Sequence, residues 1–585
     1  MHAKTISIPA LALFTLATLS TLTACGGDPA PPETGPNPTL PDPSRGLLPS
    51  MDISTPTEWG DEKPTVPDGY QIEAIAKDMK IPRQPLVLPN GDILVAEGSG
   101  GGKAPAMRPK DVIAGYIKKQ GTTSVKPGNR LTLLRDDNDD GRYETREVFA
   151  DNLNAPYGLA LIDDTLYVAN QNALVRFDYE EGQTRASGPP EKVTDLPAKI
   201  NHHWTKAMTA GPDGEFLYVG IGSNSNIGER GMDVEEDRAM VWQIDAESGR
   251  HKPYATGLRN PTAFAIHPDT DQLWAVVNER DELGANLVPD YLTSVQEGAF
   301  YGWPYSYWGD NVDTRVKPPK PEKVESAIQP DYALGSHVAA LGVDFSDGNM
   351  GGQFAEGAFV GQHGSWNRSV PVGFKVVFVP FQNGEPAGEP IDFATGFLND
   401  DGKARGRPVG VTVDPEGALI IADDLSNTIW RVTPPAATDP PSPRRRRRLG
   451  GGEAGEQHQE AADLPGHQGP HEGGHQPGGQ KPGTERVRLL QLVARVLEGA
   501  VQNVAAHRQR EEQHRRQHRQ HVDPLRPDAE RSKALQHQAG KRVHQARPVG
   551  DIHIVMRPGF VTASDLNVLP HPGQQAGQKE KPATP

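Results

Sequence analysis

The chain has 585 residues, a formal net charge of −16 and a single cysteine. Such a length holds one large β architecture or a few domains. The acidic balance argues against nucleic acid as the main partner, and a lone cysteine excludes a disulfide framework.

Residues 1–25 read as an export signal. His2 and Lys4 give a weakly basic start, Ile6 to Leu22 an apolar core, and Leu22-Thr23-Ala24-Cys25 follows. That tetrapeptide resembles a lipobox, which makes Cys25 the expected lipidated first residue of the mature protein. The alternatives are an ordinary secretory peptide or a membrane anchor with an incidental cysteine, although the run is short for a span. Gly26-Gly27, with no Asp after the cysteine, points by the same resemblance to the outer membrane on its periplasmic side. Residues 26–58 are rich in Pro, Gly and Asp and read as an extended tether.

From about residue 65 short aliphatic and aromatic runs alternate with Gly, Pro and Asp turns. Six hairpin cores share one signature, a turn followed by an apolar strand: Ile93-Leu94-Val95-Ala96, Leu166-Tyr167-Val168-Ala169, Leu217-Tyr218-Val219, Leu273-Trp274-Ala275-Val276, Ala358-Phe359-Val360 and Leu419-Ile420-Ile421-Ala422. Helical periodicity is absent between residues 65 and 435. A repeat at this spacing predicts an all-β, six-bladed β-propeller over residues 59–435.

Within it, Asp136, Asn138, Asp140, Gly141 and Glu147 complete the Asp-x-Asn-x-Asp-Gly-x5-Glu pattern of a Ca2+ loop, with Asp136, Asn138, Asp140 and Glu147 as candidate ligands. The flanks read as strand and not as EF-hand helices, so a metal-free acidic turn is the alternative. Further on, His202 and His203 stand side by side just before a β-hairpin, and histidine titrates where a general base is needed. After Trp430-Arg431-Val432-Thr433 the texture breaks: residues 436–585 run in Gln, His, Arg, Gly and Glu, hold most of the 19 histidines without metal-ligand spacing, and have Phe560 as their one aromatic. A disordered basic appendage, a His-rich metal buffer and an out-of-frame translation are the possible readings; the abruptness favours the last, with disorder following from it.

Seven motifs in order, Asn201-His202-His203-Trp204-Thr205, Gly257-Leu258-Arg259-Asn260-Pro261, Asn278-Glu279-Arg280-Asp281, Pro289-Asp290-Tyr291-Leu292, Gly298 to Pro304, His363 to Arg368 and Gly406-Arg407-Pro408-Val409, resemble the glucose/sorbosone dehydrogenase family. The resemblance covers about residues 65–434 and implies a six-bladed quinoprotein holding pyrroloquinoline quinone (PQQ) and Ca2+ at the propeller mouth. It implies His203 as base for the hydroxyl proton, and Arg259, Asn260, Arg405 and Arg407 as contacts to the cofactor carboxylates, a role suited to bidentate arginine. His363 and Arg368 stand where some relatives use a lysine, and Trp303 and Trp366 line the pocket or belong to the core.

Two departures set the chain apart from the glucose branch. Ser223 stands where those relatives orient the histidine with an Asp, and Arg280-Asp281-Glu282 replaces a Gly-Pro pair whose carbonyls bind Ca2+, so that Asp281 becomes a candidate metal ligand. Both resemble the sorbosone branch more closely. The implied activity is oxidation of a sugar or sugar-derived aldehyde, with electrons passing to a cytochrome or quinone acceptor and the membrane contacted only through the lipid. A Ca2+-dependent lactonase-like hydrolase and a non-catalytic carbohydrate- or protein-binding propeller are the competing readings.

Overall fold

A computed structural model describes residues 34–44, 52–102 and 109–435; the export signal with Cys25 and the segment 436–585 lie outside the described residues. Each of the six expected cores is the second strand of an antiparallel blade. These strands, Ile93–Glu97, Thr165–Ala169, Phe216–Ile221, Leu273–Val277, Gly357–Gln362 and Leu419–Asp423, have a neighbour on both edges and a blade on both faces. Ile93–Glu97, Leu273–Val277 and Leu419–Asp423 are buried at every position, which is why they read as continuous apolar runs and not as alternation.

The first strands, Pro82–Val87, Gly158–Ile162, Met208–Ala210, Pro261–Ile266, Ala340–Phe345 and Pro408–Val413, contact one another around the central axis. The ring closes between distant parts of the sequence. Gln71–Ala76 supplies the fourth strand of the last blade, pairing antiparallel with Thr428–Thr433 from Gln71 opposite Thr433 to Ala76 opposite Ile429. Closure removes the exposed edges an open sheet would carry.

The structure departs from the sequence reading in two places. A helix, α1 (Pro109–Gln120), is inserted between the second and third strands of the first blade. Its sequence PKDVIAGYIKKQ mixes polar residues into both faces, so its periodicity is weak. The described parts of the expected tether also run along the propeller. Gly35 and Ala333 exchange backbone hydrogen bonds of 2.9 Å each, Ser44 donates to the Leu283 carbonyl at 2.7 Å, and Thr55 and Thr57 bracket Ala404 at 2.9 and 2.8 Å. Extended Pro-rich backbone has unpaired N–H and C=O groups, and here it finds partners on the blades.

Candidate active site

In an antiparallel hairpin the residues just before the first strand and just after the second lie at the same end. One end of the propeller therefore gathers His203 and Gly222–Asn226 from the third blade, Arg259, Asn260 and Asn278–Asp281 from the fourth, His337 and His363–Arg368 from the fifth, and Arg407 and Asp424 from the sixth. The sequence motifs are these blade ends.

His203 is held through Nδ1. That nitrogen lies 2.8 Å from the Ser223 carbonyl oxygen and 3.0 Å from Ser223 Oγ. A carbonyl only accepts, and the Ser223 hydroxyl already donates to the Ser225 carbonyl at 2.6 Å. Both neighbours thus require a proton on Nδ1, and Nε2 is left as the lone-pair nitrogen of the neutral ring. Enclosure in the concave mouth, then the charges of Arg259 and His202, push the His203 pKa well below its ordinary value. The adjacent His202 ring meets it edge-on at 4.8 Å, and desolvation followed by the Lys118 charge lowers His202 to about 4. Gly222 is required here: a Cβ on it would lie 2.2 Å from Asn260 Oδ1 and 2.6 Å from the His203 Cβ.

Behind the histidine sits Arg238, a residue outside every sequence motif. Its buried guanidinium donates to the carbonyls of His203 (2.8 Å), Gly222 (2.7 Å) and Pro197 (2.8 Å), fixing the backbone on both sides of the hydrogen-bonded pair. Ser223→Ala should lower kcat by no more than about fivefold, the cost of one neutral hydrogen bond, because the carbonyl that sets the tautomer survives. Steady-state kinetics of the variant check this.

Arg259 is locked by Asn226, donating from Nε to its carbonyl (3.1 Å) and from Nη2 to its Oδ1 (3.0 Å), and it faces Asp281 Oδ2 at 3.5 Å. Asn226 in turn bridges both backbone polar groups of Asp281 and accepts the Trp303 indole N–H at 2.9 Å. Trp303 is consequently a buried prop for the hub Asn226, not a ring stacked in the mouth. Burial would raise Asp281, but Arg259, Lys118, His337 and His202 outweigh it and hold the carboxyl below its usual range. Its backbone carbonyl is taken by Asn226 and Arg315, so the side chain, with Asn367 Nδ2 at 2.8 Å, is what it offers a cation. Arg280 turns away into a buried cluster with Glu279 and Asp313.

On the opposite wall, burial would raise Asp424, yet His363 and Arg83 bring it down to about 2; His363 Nε2 donates to it at 2.9 Å and Arg83 at 2.7 Å. Arg407 lies beside them with its backbone N–H on Asp423 and its guanidinium 4.8 Å over Phe374. Burial pushes Arg407 down to about 10, against the pull of Asp424 and Asp423. Its Nε and Nη2, the Arg368 Nε and the side-chain oxygens of Asn260, Asn278 and Asn367 are buried with no hydrogen-bond partner. Orphaned buried donors on two arginines, next to orphaned amide oxygens, mark a place shaped for groups of both signs.

Two sequence expectations are corrected and one is narrowed. Arg405 does not join the cluster: the N-terminal strap, paired at Ala404, brings Glu62 onto its guanidinium, which also lies 5.7 Å over Trp59. Arg368 spends Nη1 on the carbonyls of Ala285 and Ser336 and keeps a buried, unpartnered Nε for a ligand. Glu147 is in the strand Thr145–Ala150, where a ladder replaces the EF-hand helix, and pairs with Arg185 at 2.5 Å. The carboxylates brought within 4.8 Å of one another are Asp136, Asp140 and Glu144, while Asn138 Oδ1 accepts the Asp140 N–H.

Comparison with known proteins agrees with this architecture. A model of the TrAA12-like family matches residues 64–297 and 322–435, more than half of the chain. An aldose sugar dehydrogenase of Escherichia coli (strain K12) is 28% identical over 277 residues, covering 43% of this chain and 68% of that protein. An uncharacterized protein of Borreliella burgdorferi is 32% identical over 221 residues, 37% of this chain, and the match spans 56% of the relative's length. Among solved structures, the calcium structure of the Trichoderma reesei carbohydrate-active enzyme of family AA12 superposes with a TM-score of 0.51 at 19% identity, over 66% of this chain and 98% of its own. The holo PQQ domain of Coprinopsis cinerea pyranose dehydrogenase gives 0.52 at 18% identity, over 66% and 100%. At such identities the superpositions speak to the fold.

Proposed function

The chain belongs to the TrAA12-like family, and we propose that it is a PQQ-dependent dehydrogenase of sugars or sugar-derived aldehydes, exported and lipid-anchored through Cys25. The observation that carries this reading is the pairing of a neutral histidine, its tautomer fixed with Nε2 unprotonated, with buried arginine donors that lack an acceptor. A planar quinone bearing three carboxylates fits those donors: Arg407 and Arg368 Nε would hold carboxylates, with the charge of Arg259, whose own nitrogens are bonded to Asn226 and Asn278, beside them. The Asp281 carboxylate and the orphaned oxygens of Asn260, Asn278 and Asn367 suit a hard cation such as Ca2+.

When bound, PQQ supplies a two-electron acceptor for the hydride leaving the substrate carbon, and Ca2+ polarises it. The protein's own contribution is proton handling and placement. His203 Nε2 takes the proton of the substrate hydroxyl while Nδ1–H stays on the Ser223 carbonyl, and Arg238 holds the neighbouring Gly222 carbonyl and the histidine's own carbonyl in place. An aldose C1 hydroxyl would yield a lactone, and a hydrated aldehyde an acid, with a cytochrome or quinone as the proposed final acceptor of the two electrons.

The test is to load the full chain with PQQ and Ca2+ and follow dye reduction with aldoses, sorbosone and simple alcohols. We expect saturable PQQ binding and turnover with the sugars. Failure to bind PQQ would overturn the reading, and binding without turnover on any of these substrates would overturn the dehydrogenase assignment.

A further inference from the structure

We infer that Lys118, carried by α1, is a cofactor-binding cation that reaches across the mouth and closes the carboxylate cradle from above, an inference resting on the reading of this end as a PQQ site. None of the sequence motifs contains it. It comes from the connection between the second and third strands of the first blade, which starts and ends at the mouth as the Gly222–Asn226 and His363–Arg368 connections do.

The helix is anchored at the far side of the opening. At its C-terminal end Gly121 packs so closely that a Cβ would lie 3.1 Å from Arg407 Nη2 and 2.6 Å from Ile53 Cγ1, and Thr123 Oγ1 accepts from Asn427 Nδ2 at 3.2 Å. The last turn of α1 is thereby seated on the sixth blade, against an arginine nitrogen that has no acceptor. From there the Lys118 ammonium stands 3.6 Å over the Trp366 ring of the fifth blade. A side chain rooted in the first blade, with its helix end on the sixth, that reaches Trp366 of the fifth stands over the mouth. That is where the carboxylates of a ligand seated on Arg368 and Arg407 would face it.

A lysine ammonium suits this task because it is a compact point charge with three rotatable donors on a flexible stem. The stem also explains the contact with Trp366: it lets Nζ rest on the indole by cation–π attraction. On the fifth blade His363 is tied to Asp424, and Arg368, held through Nη1 by backbone carbonyls, offers a fixed, buried Nε where Lys118 offers a mobile ammonium.

The test is direct binding, read from the absorbance and fluorescence of PQQ titrated into the full chain with Ca2+ present. Lys118→Met keeps an apolar stem over Trp366 and deletes the charge; it should weaken PQQ by about ten- to a hundredfold, the loss of one charge-assisted hydrogen bond. Lys118→Glu should weaken it further. The loss should shrink as salt rises, because an exposed charge is screened, and the melting temperature of the PQQ-free variants should match the wild type. PQQ affinities of both variants within about threefold of wild type would overturn the inference while leaving the PQQ reading intact. A loss in Lys118→Met that is the same at low and high salt would overturn it as well, by showing packing and not charge. Wild-type protein that binds no PQQ would overturn the reading of the whole site and this inference with it.

Discussion

His203→Ala should reduce kcat by about 10²–10⁴-fold, the usual worth of a positioned general base, and leave PQQ affinity within a few-fold of wild type. The separation is expected because the proposed base sits on the third blade, whereas the unpartnered donors proposed for the cofactor, Arg368 and Arg407, sit on the fifth and sixth. A parallel loss of PQQ affinity would show that the ring is part of the cradle. The pH profile gives a second reading. Burial and the neighbouring cations depress the His203 pKa well below 6.5, so the neutral base is already fully populated at neutral pH. The acid limb of kcat/KM should lie well below pH 6.5. Carboxylates bound in the cradle would offset the Arg259 charge and raise the His203 pKa, so the limb of kcat should lie at higher pH than that of PQQ-free histidine titrated by NMR.

The same shift has a consequence for folding. His203, His337 and His363 are all depressed, with burial the largest cause in each. Below pH 6.5 the unfolded chain takes up protons that the native state refuses, so the stability these rings retain at neutral pH is lost as the pH falls through the ordinary histidine range toward their native values. Asp424, depressed to about 2 in the native state, acts in the same direction at still lower pH.

What the sequence made legible follows from geometry. The six second strands stood out as apolar runs, continuous because burial on both faces is complete in four of them, and their spacing carried the blade count. The motifs stood out because hairpin ends at one rim carry the unusual residues. The orientation of His203 was invisible for a physical reason: its acceptor is the Ser223 carbonyl, and every residue has one, so a search for an acidic partner finds only a missing Asp. Arg405 and Arg407 are two residues apart and look equivalent; the strap residue Glu62, distant in sequence, separates them. Lys118 and Arg238 belong to no motif: the third blade's own hairpin places Arg238 behind His203, while Lys118 of the first blade meets Trp366 of the fifth only in the closed ring.

Arg407→Met offers the clearest contrast between function and stability. The Arg407 guanidinium is buried with Nε and Nη2 unpartnered, and its pKa is pushed down to about 10. A desolvated cation with unused donors costs the fold stability that it returns only when an anion arrives. Its removal orphans no carboxylate, because Asp424 keeps Arg83 and His363, and Asp423 is bonded by the Arg407 backbone N–H, which the variant retains. Methionine also preserves the contact with Phe374. The PQQ-free variant should therefore be more stable than wild type by about 1–3 kcal/mol, the cost of leaving a buried polar group unsatisfied, which calorimetry would record as a melting temperature a few degrees higher. PQQ affinity should fall by about a hundredfold or more, since two charge-assisted hydrogen bonds are lost together. A lower melting temperature with unchanged affinity would assign Arg407 to the scaffold, and the cradle would then have to be built without its most deeply buried unpaired donors.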